Sequence, residues 1–245
     1  MEKIKVLGVN FSNLKMTEVI DRVLGYLKED RLHTIYTPNP EILMRAEKDE
    51  EFRAILNVSD LVIPDGIGVI IASKILGNPL KERVPGYDTV QNIFGQVCYL
   101  EKSVYFLGAG PGIAETAAKN MAEKYPGLKI AGFRDGYFKP EDEEKVIEEI
   151  NKTNPDILIV GFGAPKQEKF IFRNREKLNA KIAIGAGGSI DGMSGKFKRA
   201  PLMWQKMGFE WLYRVILEPK RIKRIAFVIP AFLIKIFILK LKGDK

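Results

Sequence analysis

Cysteine and histidine are almost absent from this chain of 245 residues, which has one of each. The single cysteine, Cys98, excludes an intrachain disulfide framework and a cysteine-rich zinc site. The single histidine, His33, precedes or begins a strand and lacks the partners that a His-based metal site needs. The sequence therefore predicts no metal centre.

The sequence predicts neither a signal peptide nor a membrane-spanning run. Residues 1–10 (MEKIKVLGVN) follow a strand pattern, without the basic start and apolar core of a signal peptide, so we expect a cytoplasmic protein. The most apolar segment, residues 225–239, is about 15 residues long, whereas a spanning helix needs about 20. Pro230 and Lys235 interrupt it.

Positive charge is confined to the end of the chain. The net charge is +8, but residues 196–245 carry 13 Lys/Arg against 3 Asp/Glu, a net charge of +10, while residues 1–195 carry −2. This asymmetry predicts an anionic partner for the tail alone, either nucleic acid or anionic lipid headgroups. With 46% hydrophobic and 29% charged residues, the chain as a whole is typical of a globular protein.

Short apolar segments alternate with amphipathic ones over residues 1–195. Near-continuous apolar runs such as DILIVGFG and KIAIGAGG are typical of strands buried on both faces of a parallel sheet. The pattern predicts a Rossmann-like α/β catalytic domain with a mainly parallel sheet and helices on both faces. Strands are expected at 4–9, 33–37, 61–63, 104–107, 129–133, 157–161 and 182–185, and helices include 16–28, 113–124, 143–152 and 167–178.

Residues 196–245 are expected to form a helical, membrane-binding appendage. Residues 201–218 have the spacing of one amphipathic helix, with Trp204, Trp211 and Tyr213 among its aromatic residues. Basic residues flank the apolar run at 225–239, which favours a segment lying in the membrane interface over a span. The alternatives are a terminal helix packed on the core and a tilted or re-entrant insertion.

Ligands of doubly wound sheets bind beyond the carboxyl ends of the strands, so the residues that follow each strand are the site candidates. Thr37 and Asn39 follow the second predicted strand, and Asn39 could equally cap the helix that begins at Pro40. Asp65 follows the third strand and is a candidate general base. Its alternative role is to cap a helix over residues 67–76.

Four further loops carry candidates. Arg83 could clamp a phosphate, although a solvated loop charge is the simpler interpretation. Gly108 begins a glycine-rich turn that lets a phosphate or sugar approach a helix N-terminus, but its spacing is wrong for a dinucleotide fingerprint. Gln167 lies in a first helical turn facing the crevice, and the glycines of 185–195 indicate close passage of the backbone by a ligand.

Eight segments resemble, in order along the chain, the WecG/TagA/CpsF family of bacterial glycosyltransferases, and within it the TagA branch. They are TPNPEIL, PDGIGV, ERVPGYD, FLGAGPG, GYF, VGFGAPKQEKF, GAGGSIDGMSGKFKRAP and EWLYRVILEPKR. The resemblance implies transfer of N-acetylmannosamine from its UDP derivative, with inversion, to the 4-hydroxyl of N-acetylglucosamine on undecaprenyl diphosphate. That reaction belongs to wall teichoic acid synthesis, and it implies no metal and no cofactor.

The resemblance also implies roles for particular residues. Asp65 would be the general base, and Arg83 would lie near the diphosphate or the acceptor. The residues implied to line the donor pocket or contact the nucleoside are Thr37, Asn39, Gln167, Tyr137 and Asp191. Three tail residues, Arg214, Arg221 and Arg224, would either stabilise the departing diphosphate or bind only lipid headgroups.

Other functions remain open from the sequence. The same fold and acceptor class could use another UDP-sugar, such as N-acetylmannosamine uronic acid or a hexose. A Rossmann oxidoreductase would not explain the tail. A non-catalytic module that binds membrane or RNA is a third alternative, but the apolar run suits no nucleic acid, so we expect none as a partner. An exposed apolar tail favours self-association into homo-oligomers when no membrane is present.

Overall fold

Strands and helices alternate along the described chain as the sequence predicts. The computed structural model describes residues 1–197, 199–208, 210–217 and 222–242, without the side chains of residues 202, 206, 214 and 222–226. In chain order the strands are β1 (Lys3–Val6), β2 (Val9–Ser12), β3 (His33–Tyr36), β4 (Leu61–Val62), β5 (Ser103–Gly108), β6 (Lys129–Arg134), β7 (Ile157–Gly161) and β8 (Ile182–Gly185).

The described helices belong to the α/β unit and to the C-terminal segment. In chain order they are α1 (Met16–Tyr26), α2 (Pro40–Ala46), α3 (Glu50–Val58), α4 (Ile67–Ile75), α5 (Gly86–Val97), α6 (Ile113–Lys124), α7 (Glu143–Thr153), α8 (Lys166–Arg173), α9 (Ser189–Met193), α10 (Leu202–Lys206), α11 (Glu210–Leu217) and α12 (Ile222–Lys242). A 3-10 turn at Pro140–Asp142 precedes α7. Helix α8 ends at Arg173 and not, as predicted, at residue 178.

Strands β3 to β8 form one parallel sheet in the order β4-β3-β8-β7-β5-β6. The chain leaves β3 toward one edge of the sheet and leaves β5 toward the other, so the winding direction reverses between them. Because every strand of this sheet runs the same way, all six carboxyl ends lie at one edge. The predicted Rossmann-like α/β fold is confirmed.

Apolar side chains of each strand alternate between two buried layers. In β7, Ile157 and Ile159 enter the layer that holds α1, α5, α6 and α9. Leu158 and Val160 enter the opposite layer, which holds α2, α3, α4, α7, α8 and the β1–β2 pair. The near-continuous apolar pattern of the strands follows from burial on both faces.

The single strand predicted for residues 4–9 is wrong. The chain forms instead an antiparallel hairpin, β1–β2, in which Val6 pairs with Val9. Leu7 and Gly8 have φ values of +47° and +76°, as a two-residue type I′ turn requires. The side chain of Asn57 fixes the turn, because it donates to the Gly8 carbonyl and accepts from the Asn10 amide, each at 2.8 Å.

The single helix predicted for residues 201–218 is also wrong, because the segment contains two helices, α10 and α11. Gly208, between them, has a φ of +78°, which no residue of a continuous right-handed helix adopts. It also packs against Ile67, the first residue of α4. The apolar periodicity persists across this break, which is why the pattern resembles one helix.

Helix α12 continues through Pro230 and packs one face on the α/β unit. Phe232 and Ile236, one turn apart, are fully buried in the core layer of α2 and α4. Lys235 pairs with Glu47, the residue after α2. On this face, α12 is therefore a terminal helix packed on the core, which is one of the alternatives that the sequence left open. Its outer face is apolar and exposed, and includes Phe227 and Leu241.

Candidate active site at the carboxyl edge of the sheet

The carboxyl edge brings together loops that are far apart in sequence. Across the sheet, the loops after β4, β3, β8, β7, β5 and β6 lie in that order. The site candidates at or soon after these strand ends are, in the same order, Asp65, Thr37 with Asn39, Asp191, Gln167, Gly108 and Tyr137. Asp65, Thr37, Asn39, Gln167 and Gly108 were expected at this edge because they follow strands, whereas Asp191 and Tyr137 were expected from the family resemblance.

Thr37 and Asp65 meet at the backbone of Gly86, the first residue of α5. The amide N–H of Gly86 donates to Asp65 Oδ2 at 3.4 Å. A Cβ atom on Gly86 would lie 2.7 Å from Thr37 Oγ1, so only glycine permits this approach. Thr37 Oγ1 also donates to the Gly185 carbonyl of β8 at 3.5 Å. A carboxylate and a hydroxyl thus lie on neighbouring loops at one corner of the edge.

Asp65 does not cap the helix that follows it. Helix α4 begins at Ile67, its N-cap is Gly66, and no cap hydrogen bond from a side chain is found at this end. Gly66 has a φ of +99°, which turns the chain sharply after Asp65. The amide of Asp65 donates to the Pro38 carbonyl at 3.2 Å, which joins this loop to the one after β3. The carboxylate is half-buried and does not cap α4.

Asn39 caps α2, as the alternative interpretation predicts. Its Oδ1 accepts from the Ile42 amide at 3.1 Å, and Pro40 occupies the first helical position. A Cβ on Gly68 would lie 2.7 Å from Pro40 Cγ, so α4 approaches α2 closely here. Capping fixes the position of Asn39 beside the turn that carries Asp65.

Arg83 contacts the C-terminal segment. Its Nη2 donates to the Gln205 carbonyl of α10 at 3.2 Å. The next residue, Val84, donates through its amide to the Pro64 carbonyl at 3.0 Å, so this loop lies directly beside the one that carries Asp65. Together with the contact of Gly208 on Ile67, this holds α10 against the Asp65 corner.

The guanidinium group of Arg199, which was not predicted from the sequence, also holds the C-terminal segment in place. Arg199 lies between Asp88 of α5 and Glu210 of α11, and donates to both carboxylates. Its guanidinium carbon also lies 4.5 Å from the centroid of the Tyr87 ring. Because α5 begins at Gly86, this cluster connects the C-terminal helices to the loop that contacts Asp65.

The paired strands β5 and β7 end side by side, in close backbone contact at Gly108 and Gly161. A Cβ on Gly108, whose φ is +135°, would lie 2.6 Å from the Gly161 backbone. The Ala109 amide donates to the Gly161 carbonyl at 3.0 Å. Gly108 is therefore required for packing at this point. The turn that follows it leads into the N-terminus of α6, where the positive end of the helix dipole favours an anion.

Gln167 is buried, and its amide joins two loops. Its Oε1 accepts from the Gly163 amide at 3.1 Å and from the Gly187 amide at 3.0 Å. These amides belong to the loops after β7 and β8. Its Nε2 donates to Glu168 Oε1 at 2.9 Å. Because both ends of the Gln167 amide already have partners within the protein, we expect a ligand to contact chiefly the two loops that Gln167 joins.

Asp191 follows the central strand β8, and Tyr137 follows the edge strand β6. Asp191, in the first turn of α9, forms an ion pair with Lys196 at 2.8 Å. Tyr137 is 78% exposed, so its ring is accessible at the rim of the crevice.

The predicted tail arginines fall largely outside what the structure describes. Arg221 is not among the described residues. The backbones of Arg214 in α11 and Arg224 in α12 are described, but their side chains are not. Among the described residues, no group of three or more His, Cys, Asp and Glu side chains could hold a metal ion, and no helix is long and apolar enough to cross a membrane.

The fold and the site define an α/β enzyme whose ligands approach the carboxyl edge of a parallel sheet. The family described as "Glycosyl transferase WecG/TagA/CpsF family" matches residues 4–245. The chain belongs to this family of glycosyltransferases, as its motifs predict, and it is a hexosyltransferase.

Three relatives share the name N-acetylglucosaminyldiphosphoundecaprenol N-acetyl-beta-D-mannosaminyltransferase. The protein from Bacillus spizizenii is 34% identical over 89% of this chain and 84% of its own. The protein from Bacillus subtilis is 34% identical over 92% and 88%. One from Staphylococcus aureus is 32% identical over 99% and 95%. The similarity thus extends through the C-terminal segment.

Proposed function

We propose that this protein transfers N-acetylmannosamine from UDP-N-acetylmannosamine to the 4-hydroxyl of the N-acetylglucosamine on undecaprenyl diphosphate, in the synthesis of the wall teichoic acid linkage unit. The names of the relatives support both the sugar and the lipid-linked acceptor. The observation that carries the proposal is Asp65, a half-buried carboxylate at the carboxyl edge that does not cap its helix.

The transfer proceeds by direct displacement. Asp65 takes the proton of the acceptor 4-hydroxyl as that oxygen attacks the anomeric carbon of the donor. The bond from the anomeric carbon to the UDP oxygen breaks on the opposite face, and its electron pair leaves with UDP. One bond forms and one breaks at the same carbon, so the configuration is inverted. Thr37 and Asn39, on the neighbouring loop, orient the sugars.

Positive charge stabilises the departing diphosphate. The N-terminus of α6, which follows Gly108, offers backbone amides to an anion. Arg83 lies beside the Asp65 loop, and Arg214, Arg221 and Arg224 supply further guanidinium groups from the tail. Guanidinium groups placed where charge develops lower the barrier to leaving-group departure.

The course of the C-terminal segment supports this role for the tail. Gly208 contacts Ile67, the first residue of α4. Lys240 lies beside Gly77, beyond the last residue of the same helix. Residue 208 therefore lies near the carboxyl edge of the sheet, and residue 240 lies toward the opposite edge. This direction favours a position for the start of α12 on the same side of the molecule as the crevice.

The outer face of α12 docks the enzyme on an anionic membrane surface in this proposal. Its exposed apolar residues recur at helical spacing, at Phe227, Ile234, Ile238 and Leu241. Basic residues accompany them, with Lys240 and Lys242 in the last turn. An apolar stripe flanked by lysines suits the headgroup boundary, where the lipid-linked acceptor lies.

Release of UDP from a panel of UDP-sugars, with a lipid-diphosphate acceptor, tests the reaction. We expect release from UDP-N-acetylmannosamine and little from the corresponding uronic acid or from hexose donors. No release above background from any donor would disprove the proposal. Turnover of a soluble acceptor analogue without membranes tests the tail separately: if Arg221→Glu leaves that rate unchanged, the arginine is not catalytic.

A further inference from the structure

One buried carboxyl group at the site has no role in the proposed transfer step. Glu168, in the first turn of α8, is 1% exposed, although acidic residues in a first helical turn are usually solvated. Burial raises the pKa of its carboxyl to about 7. Among the described residues its Oε2 has no hydrogen-bond partner, and an unpaired buried polar atom costs stability.

The other carboxyl oxygen of Glu168, Oε1, is hydrogen-bonded to the side chain of Gln167. Oε1 accepts from Gln167 Nε2 at 2.9 Å, while Gln167 Oε1 accepts from the amides of Gly163 and Gly187. If the amide of Gln167 were reversed, its NH₂ group would face two N–H donors. A carboxyl oxygen on one side and two amide donors on the other therefore require a single orientation of Gln167.

Gly185 and Tyr36 pack closely against the side chain of Gln167. A Cβ on Gly185 would lie 3.0 Å from Gln167 Nε2 and 3.1 Å from the Tyr36 ring. The Tyr36 hydroxyl donates to the Glu168 carbonyl at 3.4 Å, which ties the start of α8 to β3. The loops after β7 and β8 are thus kept at a fixed spacing by one buried side chain.

We infer that Glu168 is a positioning residue for the glycosyl transfer: it fixes the orientation of Gln167, which in turn sets the spacing of the two glycine loops that receive the donor. The part about the donor depends on the proposed function. The part about the loops does not, because it concerns hydrogen bonds within the free protein.

Amide hydrogen exchange of the full chain tests the inference directly. In Glu168→Leu, which keeps the side-chain size but removes the acceptor, we expect the amides of Gly163 and Gly187 to exchange at least tenfold faster. Glu168→Gln retains a carbonyl acceptor for Gln167 Nε2 and should restore most of the protection. Asn174→Leu is the matched control, since Asn174 is equally buried in a polar contact at the other end of α8.

Kinetics supply a readout that a merely structural role would not change. Glu168→Leu should raise the donor KM about tenfold while kcat changes less, and Glu168→Gln should restore the KM. Thermal unfolding of each variant at the assay pH identifies those that remain folded. If Glu168→Leu fails to fold, Glu168→Met, which also lacks an acceptor for Gln167 Nε2, replaces it in both comparisons.

Three outcomes would overturn the inference: unchanged protection in Glu168→Leu, equal loosening in Asn174→Leu, or a Glu168→Gln variant that behaves like Glu168→Leu. If the wild-type protein releases no UDP from any donor, the proposed function fails, but the exchange comparison still decides the role of Glu168 in the loops.

Discussion

Asp65 shows how much a single position depends on its neighbours. The carboxylate is fixed by the turn at Gly66 and by the Gly86 amide, and Thr37 lies on the other side of Gly86. Its presence at the carboxyl edge follows from the strand order. Asp65 does not cap α4, because Gly66 occupies the N-cap position.

Replacing Asp65 by asparagine tests the general base. Asparagine keeps the size and the acceptor oxygen for the Gly86 amide but cannot take a proton. We expect kcat to fall by about 10²- to 10⁴-fold, the usual contribution of a positioned base. The donor KM and the midpoint of thermal unfolding should change little. Steady-state UDP release with the lipid acceptor measures the effect, and a kcat within threefold of wild type would exclude Asp65 as the base.

Glu168 should make stability depend on pH. Its pKa is raised to about 7 in the folded protein from an ordinary value of 4.5, chiefly by burial. Between these values the folded state holds a proton that the unfolded state has lost, so the free energy of unfolding falls as pH rises. The loss is on the order of 3 kcal/mol when complete above pH 7.

Urea unfolding at pH 5 and pH 8 measures this loss. Glu168→Gln, which does not titrate, should lose less stability between the two pH values than the wild type. The other groups that act on Glu168 are Arg45 of α2, whose charge lowers the pKa, and the hydrogen-bonding amide of Gln167. An equal pH dependence in both proteins would show that Glu168 is ionised when folded.

Sequence reasoning found the polar residues that follow strands but missed those that position them. Thr37, Asn39 and Asp65 are predictable because parallel strands end at one edge. Glu168 resembles a surface residue in a first helical turn, where the helix dipole favours acidic side chains. A signal was nevertheless present: Gln167, Phe170, Ile171 and Asn174 mark the buried stripe of α8, and Glu168 lies beside it.

At the scale of elements, the C-terminal segment was the hardest to predict. The break between α10 and α11 lies at Gly208, which has a positive φ and packs against Ile67. Long-range contacts of this kind leave no periodic trace in the sequence. The hairpin β1–β2 was missed for a similar reason, because Leu7 is not a residue that usually adopts a positive φ.

Arg199 should control how firmly this segment is held. Arg199→Ala removes the guanidinium between Asp88 and Glu210, and leaves two partly buried carboxylates without it. We expect the free energy of local opening to fall by roughly 1–3 kcal/mol, less than for a fully buried pair. Chymotrypsin should then cleave within residues 197–213 about tenfold faster or more, as measured by mass spectrometry of timed digests.

The control for Arg199 is Arg173→Ala. Arg173 also forms an ion pair, with Glu143, but its side chain is 62% exposed and lies on α8, away from the C-terminal segment. Cleavage in residues 197–213 should not accelerate in this variant. Equal acceleration in both variants would indicate a general loss of stability and not the release of one segment.

At the scale of the whole molecule, α12 has two apolar faces in different surroundings. The inner face, with Phe232 and Ile236, belongs to the core, and the outer face is exposed. The sequence predicts an evenly apolar run but does not show which of its residues are buried and which are exposed. The positions of α2 and α4 determine which residues face inward. Charge is also distributed unevenly, but between the tail and the rest of the chain: the tail carries the whole positive excess of the protein.

Substitutions on the two faces of α12 should therefore separate folding from docking. Phe232→Ala should lower the free energy of unfolding by about 3–5 kcal/mol, as is usual for a buried phenylalanine. Phe237→Ala, on the exposed side of the same helix, should change stability by less than about 0.5 kcal/mol. Urea unfolding without membranes measures both, and equal losses would contradict the assignment of the faces.

Membrane binding should respond in the opposite way. Phe237→Ser with Leu241→Ser removes two exposed apolar side chains that would each contribute about 1.5–3 kcal/mol when buried in the interface. Sedimentation with vesicles that contain anionic lipid should show binding at least tenfold weaker than for the wild type. Tyr99→Ser is the control, because Tyr99 is 83% exposed but follows α5. Raised salt should weaken wild-type binding further, since it screens the tail lysines. Unchanged sedimentation of the double variant would mean that the outer face of α12 does not contact the membrane, and that any docking depends on another surface.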